Sequence, residues 1–355
     1  MKKLIVIAII LVVLGLSLSG CFGPPKNSAG PKIAMTILPK EGDWSEDNYK
    51  QAVRLSKEGG ASLANVAYQW GKLEHSYGDY SWADPDYDLS IYQEGRIKAS
   101  VTIPVIDGEE LGLVPLDIAG QTFDEQFIRR FENFTYKFLK RYHKNIDYLW
   151  IGSSVDNYLT QNPKETAGFS ALLNRIQRLV HAAYPKISVG TIVAYQDAKS
   201  NNQLGLVNEL AANVDIMGFS FYQTRGKRVF RGNASEAVKN LEEIIALNSA
   251  ERIAIVETGW NTNPVAGGSK QLQRQYVKQL FKFLKSNEGR VEFLGFFALH
   301  DMPKSLVNEQ VSHITGNLAE QAVLNNFMNS YGLFDVRGRA KPAWHEWLKQ
   351  IKAYK

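Results

Sequence analysis

Glu257 ends the apolar run Ile253-Ala254-Ile255-Val256 and is followed at once by Thr258-Gly259-Trp260. A carboxylate closing a β-type run, with an indole beside it, suits attack on, or hydrogen bonding to, a ligand that is polar at its rim and apolar on its faces. Other run ends carry the same mixture. Trp70 and Glu74 follow the run at 62–69, and Asp107 follows 97–106. Ser153, Ser154, Asp156 and Asn157 follow 148–152, Tyr222 closes 215–222, and His300 and Asp301 follow 293–299. Aromatic rings interleaved with hydrogen-bonding groups fit sugars, so a poly- or oligosaccharide is the expected partner. The candidate binding residues are Trp70, Glu74, Asp107, Ser153, Asn157, Tyr222, Trp260, His300 and Asp301, with Glu257 as the carboxylate candidate for a chemical step.

The elements that must hold these residues are legible as alternation. Eight short runs rich in Val, Ile and aromatics, at 33–38, 62–69, 97–106, 148–152, 187–194, 215–222, 253–257 and 293–299, are separated by stretches of helical period. At 125–142, Phe127, Ile128, Phe131, Phe134, Phe138 and Leu139 recur at three- and four-residue spacing. Asn162-Pro163-Lys164-Glu165 opens another helix, predicted to run to His181. Eight strands with intervening helices predict an α/β fold, a single (β/α)8 TIM barrel over 32–355 with its chemistry at the C-terminal ends of the strands. A doubly wound sheet is the competing fold, but it requires a glycine-rich phosphate loop after an early strand, which this sequence lacks.

These motifs, in this order, resemble clan A of the retaining glycoside hydrolases, most closely its endo-β-1,4-galactanase-like and related endoglycosidase branches. The resemblance covers nearly the whole of 32–355. Trp70, Leu73-Glu74, Gly78, Tyr80 and Trp82 are similar to the loop after the second strand, although His75 stands where the pattern has Pro. Asp215-Ile216-Met217-Gly218-Phe219-Ser220-Phe221-Tyr222 is similar to the sixth strand, whose terminal Tyr supports the nucleophile. Ile255-Val256-Glu257-Thr258-Gly259-Trp260 is similar to the seventh, whose Glu is that nucleophile. Gly332-Leu333-Phe334-Asp335, Gly338, Lys341-Pro342-Ala343 and Trp344 are similar to the closing segment and final helix.

The fourth strand departs from that pattern. Where the resemblance implies Ile-Gly-Asn-Glu-Val-Asp, this chain has Ile151-Gly152-Ser153-Ser154-Val155-Asp156. Retaining hydrolysis needs one carboxylic acid to protonate the leaving oxygen and a second carboxylate, roughly 5–5.5 Å away, to attack the anomeric carbon. A serine hydroxyl at 154 is too weak an acid for the first task, so an impaired hydrolase or a glycan-binding pseudoenzyme is expected. An active glycosidase or transglycosidase would need a displaced acid, from Asp156 or from Glu74, Asp107 or Asp301. Alternatively, Asp156 and Asn157 merely begin a loop or cap a helix, Ser153 and Ser154 relieve crowding, and the cleft is filled in a purely structural surface protein. The basic loop Arg225, Lys227, Arg228 and Arg231 either grips an acidic glycan or is solvated, and 301–330 is a long polar loop that forms a lid, a subsite wall or a surface insertion.

Location follows from the first residues. Lys2 and Lys3 precede an apolar stretch at 4–18, and Leu18-Ser19-Gly20-Cys21 has the form of a bacterial lipobox. A signal peptide at 1–20, lipidation of Cys21, a flexible tether to residue 31 and an extracytoplasmic, membrane-anchored body are the expectation, an uncleaved anchor being the alternative. Cys21 is the only cysteine, so disulfides and thiolate metal sites are excluded from the body. No His pair has metal-ligand spacing, and no metal or other cofactor is expected. A net charge of +5, two units of it from Lys2 and Lys3, is no nucleic-acid footprint. The body is expected to be monomeric.

Overall fold

The computed structural model describes residues 30–224, 232–247, 252–314 and 317–354. The lipobox, most of the tether and the basic loop from Arg225 to Arg231 lie outside the described residues. Eight parallel strands close into a ring: β1 (Lys32–Thr36), β2 (Leu63–Ala67), β3 (Lys98–Asp107), β4 (Ile146–Ser153), β5 (Ser188–Ala194), β6 (Ile216–Phe221), β7 (Ile253–Thr258) and β8 (Val291–Phe296). Each pairs with the next, and β1 pairs with both β2 and β8. Every predicted run overlaps one of these strands. The protein is a single (β/α)8 barrel, and the C-terminal ends of its parallel strands define one face, where such barrels carry their chemistry.

Period-two alternation divides the strands between two cores. Tyr148, Trp150, Ile192, Ile216, Ala254, Val256 and Phe293 fill the barrel interior. Trp150 dominates that space, donating through Nε1 to Ser100 Oγ at 2.8 Å. Glycines on two other strands make room for its ring: a Cβ on Gly190 would meet Trp150 Cζ3 at 2.3 Å, and one on Gly218 at 2.7 Å. The outward-facing residues, among them Ile151, Val189, Phe219 and Ile255, join the larger core under the helices.

The helix Glu125–Tyr142 has the predicted bounds. Asp124 caps it by accepting from Phe127 N–H at 2.8 Å, and the phenylalanines at 127, 131, 134 and 138 form its buried face. Truncating one of these to Ala would cost about 3–5 kcal/mol in lost burial and cavity. The segment expected as a long polar loop at 301–330 instead contains two helices, Lys304–Ile314 and Leu318–Met328. Their apolar residues Val307, Val311, Leu324 and Phe327 are few but correctly spaced, and they pack with Tyr331, Phe297 and Tyr222 in a third core. Polar residues between them hid that spacing.

Candidate active site

β7 positions Glu257 through a break in its alternation. Ala254 and Val256 point into the barrel, so strict alternation would send Glu257 outward with Ile253 and Ile255. The register against β6 slips between Ile255 and Glu257, the kind of irregularity that re-aims a side chain at a barrel rim. Glu257 is half-buried and accepts from Tyr222 Oη at 3.4 Å. Tyr222 is held in turn by edge-on contacts with Phe327 and Phe297, at ring separations of 5.4 and 6.4 Å. Burial lifts the Glu257 carboxyl to about 7; the Tyr222 hydroxyl pulls it down, and the negative charge of Asp107 pushes it up. Next to it, Thr258 Oγ1 donates to Phe221 O at 2.7 Å and is hydrogen-bonded to the Tyr276 hydroxyl, fixing the strand end.

Asp107 is the last residue of β3, and its Cα partner across the ladder is Ser153. Gly108 N–H donates to Ser153 O at 2.9 Å, stitching the ends of β3 and β4 together. The Asp107 side chain is exposed, yet partial desolvation still raises its carboxyl, opposed by a hydrogen bond from Gln69 Nε2 at 3.2 Å. Ser153 and Ser154 are half-buried, and Ser154, with left-handed backbone angles of φ 50° and ψ 43°, directly precedes the helix Val155–Gln161 without a capping bond from its side chain.

The remaining sequence candidates stand elsewhere. Trp70 is 1% exposed and lies among Phe127, Phe131 and Phe134, so it offers no face to a ligand. Glu74 is fully buried, accepting from Trp70 Nε1 at 2.9 Å and Gly78 N–H at 3.0 Å and pairing with Arg130 at 3.0 Å. These two, expected at a sugar, tie the loop after β2 to the helix behind it. Asp156, expected as a displaced acid, is 1% exposed in the first turn of its helix; Oδ1 accepts from Ala194 N–H at the end of β5, 2.7 Å away. Burial raises it to about 7. Asn157 Nδ2 reaches Asp197 at 3.2 Å.

Asp301 forms a buried ion pair with Lys341 at 2.7 Å and accepts from Gly332 N–H at 2.7 Å. His300 is buried with Nδ1 2.7 Å from Leu38 O, and burial lowers its pKa. Trp260 is buried against Tyr276, at a ring separation of 5.1 Å, beside a cavity of about 10 Å³ lined by Gln223, Gly259, Asn261, Gly267 and Phe327. That is room for about one water. Among the described residues, no three His, Cys, Asp or Glu side chains gather as a metal site would require, and no helix is long and apolar enough to cross a membrane.

Three residues that shape the site were not singled out by sequence. Gln69 orients Asp107; it closes the 62–69 run, a position that should have drawn attention. Gln273, fully buried in the helix Lys270–Ser286, donates to Trp260 O, Tyr331 O and Gly332 O at 2.9, 2.9 and 3.0 Å, clamping the loops after β7 and β8 together. Tyr331 is fully buried against Phe297, at a ring separation of 4.5 Å. No local pattern marks either of the last two.

No family model and no curated protein matches the chain. Solved structures share its fold at low identity. GH5_18 from Bifidobacterium longum subsp. longum superposes with a TM-score of 0.69 at 16% identity, over 92% of this chain and 80% of that one. A Glu-to-Ala variant of GH5_18 from Streptomyces cattleya, in complex with Manb1-4GlcNAc, gives 0.66 at 12% identity, over 92% and 81%. A psychrophilic glycoside hydrolase family 10 endo-beta-1,4-xylanase gives 0.62 at 16% identity, over 90% and 96%. The chain therefore has a clan A glycoside hydrolase-like fold, with Glu257 at the end of its seventh strand and Ser154 just beyond its fourth.

Proposed function

We propose that this chain is a lipid-anchored, extracytoplasmic protein that recognises a poly- or oligosaccharide at the mouth of its barrel. Glu257 occupies the nucleophile position and Ser154 the acid/base position, so hydrolysis of ordinary glycosides is weak or absent. The observation that carries this reading is the Glu257–Tyr222 pair: a half-buried carboxylate hydrogen-bonded by a tyrosine at the rim of a barrel of hydrolase type. Beyond β4, where the second carboxylate of such a barrel is expected, the side chain stops at a hydroxyl. The neighbours crystallised with Manb1-4GlcNAc make that disaccharide the first ligand to try.

Two measurements test the reading. Titration calorimetry against Manb1-4GlcNAc and β-linked mannans, galactans and xylans, alongside an assay for new reducing ends, is expected to give binding with little or no release. Absence of binding to every glycan would sink it. Ser154→Glu then asks whether only the proton donor is missing. The exchange adds no new backbone conflict, because Ser and Glu bear a left-handed φ at similar cost. Hydrolysis of glycosides with poor leaving groups should rise by roughly 10²- to 10⁴-fold, with little change for activated aryl glycosides. No gain on any substrate, together with no turnover by the wild-type protein, would rule out a dormant hydrolase site.

A further inference from the structure

We propose that Asp107 is the second carboxylate of this site and carries out the proton transfer that Ser154 cannot. The inference rests on the reading of the barrel mouth as a carbohydrate site and names the residue behind whatever turnover that site retains. Besides Glu257, the sequence offered four carboxylates beyond strand ends for the role: Glu74, Asp107, Asp156 and Asp301. Glu74 is locked by Arg130, Trp70 and Gly78, Asp301 by Lys341 and Gly332, and Asp156 is enclosed against the end of β5. Asp107 alone of the four is exposed.

Its position is also the right one. The missing acid would project from the end of β4, and Asp107 stands beside that end, in register with Ser153 and joined to it through Gly108. As with Glu257, a slip in the ladder, here between Ile103 and Asp107, precedes it and frees its side chain from the strand's alternation. Gln69 holds it. Because Leu113 N–H donates to Gln69 Oε1 at 3.1 Å, the amide presents Nε2 to Asp107 Oδ2 and engages one carboxylate oxygen.

The step balances with these two groups alone. A Glu257 oxygen bonds to the anomeric carbon while the bond to the leaving oxygen breaks, and that oxygen takes the Asp107 proton. Asp107, now a carboxylate, removes a proton from water as the water oxygen bonds to the anomeric carbon, and the bond to Glu257 breaks. One water is consumed and both carboxyls return to their starting states.

The test is Asp107→Ala in the whole protein, assayed on 2,4-dinitrophenyl β-glycosides and on unactivated β-linked disaccharides of mannose, glucose, galactose and xylose. Because the side chain is exposed, the thermal midpoint is expected to stay at the wild-type value. Turnover of the disaccharides should fall by roughly 10²- to 10⁴-fold and that of the dinitrophenyl glycosides far less. Added azide should restore the dinitrophenyl reaction and yield the β-glycosyl azide, because it needs no general base; a merely structural residue gives no such product. Unchanged disaccharide turnover in the variant, or no rescue by azide, overturns the proposal. So does a wild-type protein that binds glycan but turns over no substrate, an outcome that leaves carbohydrate recognition intact. Neither binding nor turnover overturns both.

Discussion

Glu257 is pulled in opposite directions by its neighbours, and its pH behaviour should show it. Burial and the Asp107 charge hold the carboxyl near 7, whereas the hydroxyl of Tyr222 stabilises the ionised form. Only the carboxylate attacks carbon, so covalent labelling by an activated 2-deoxy-2-fluoroglycoside, followed by intact-mass spectrometry, should rise with pH through about 7. Tyr222→Phe removes the interaction that lowers the pKa and should move that rise to higher pH; a shift to lower pH would show that the hydroxyl does not favour the carboxylate. Asp156 gives a stability prediction instead. Its pKa is raised from 3.8 to about 7, so the folded state holds the proton more tightly than the unfolded chain. The resulting stabilisation is complete below pH 3.8 and is lost as pH rises through about 7. Asp156→Asn keeps an acceptor for Ala194 N–H but does not titrate, so its urea midpoint should fall less steeply over that window than the wild type's. At this scale the sequence was uneven. The strand-end position of Glu257 was legible because the apolar run before it announces it, but Trp70 and Glu74 looked equally ligand-facing. Their burial depends on Arg130, on a helix far along the chain, which no local pattern reveals.

Elements were more legible than side chains, for a physical reason. Strand and helix positions follow from the spacing of apolar residues, which is local, so all eight strands and the helix Glu125–Tyr142 could be found in advance. Which strand residue fills the barrel is a matter of fit among distant strands, and Trp150 could not be assigned to the interior without Gly190 and Gly218 beside it. That fit predicts opposite outcomes for one kind of substitution. Gly190→Ala would drive a methyl to 2.3 Å from Trp150 and 2.5 Å from Ile216 O, and should destabilise by about 1–3 kcal/mol or more in urea unfolding. Gly205→Ala, in the helix Leu204–Ala211 with nothing within 4 Å of the new methyl, should be neutral or stabilise by up to about 1 kcal/mol. Equal effects at the two sites would mean that Trp150 does not fill the barrel. The helices at 304–314 and 318–328 were missed because each buries few residues, and their wall of Phe327 and Tyr331 against Tyr222 and Phe297 emerges only on packing.

For the whole molecule, parallel strands fix which way the site faces. The chain enters β1 at Lys32, on the N-terminal face of the barrel, while Asp107, Ser153 and Glu257 stand at strand ends on the opposite face. If Cys21 carries lipid, the ten residues from Phe22 to Pro31 join the membrane to the face remote from the mouth, with a reach of at most ~33–36 Å. Attached in that way, the barrel mouth is built from strand ends remote from the attachment point and needs nothing from the membrane to form. Cys21→Ser should therefore move the protein from the detergent phase to the aqueous phase on Triton X-114 partition, while glycan affinity, measured by calorimetry on the soluble product, stays at the value of the anchored form. Persistence in the detergent phase would point to the apolar stretch at 4–18 as an uncleaved anchor. Loss of affinity on release would show that the membrane helps to build the site, contrary to a mouth built only from strand ends remote from the attachment point.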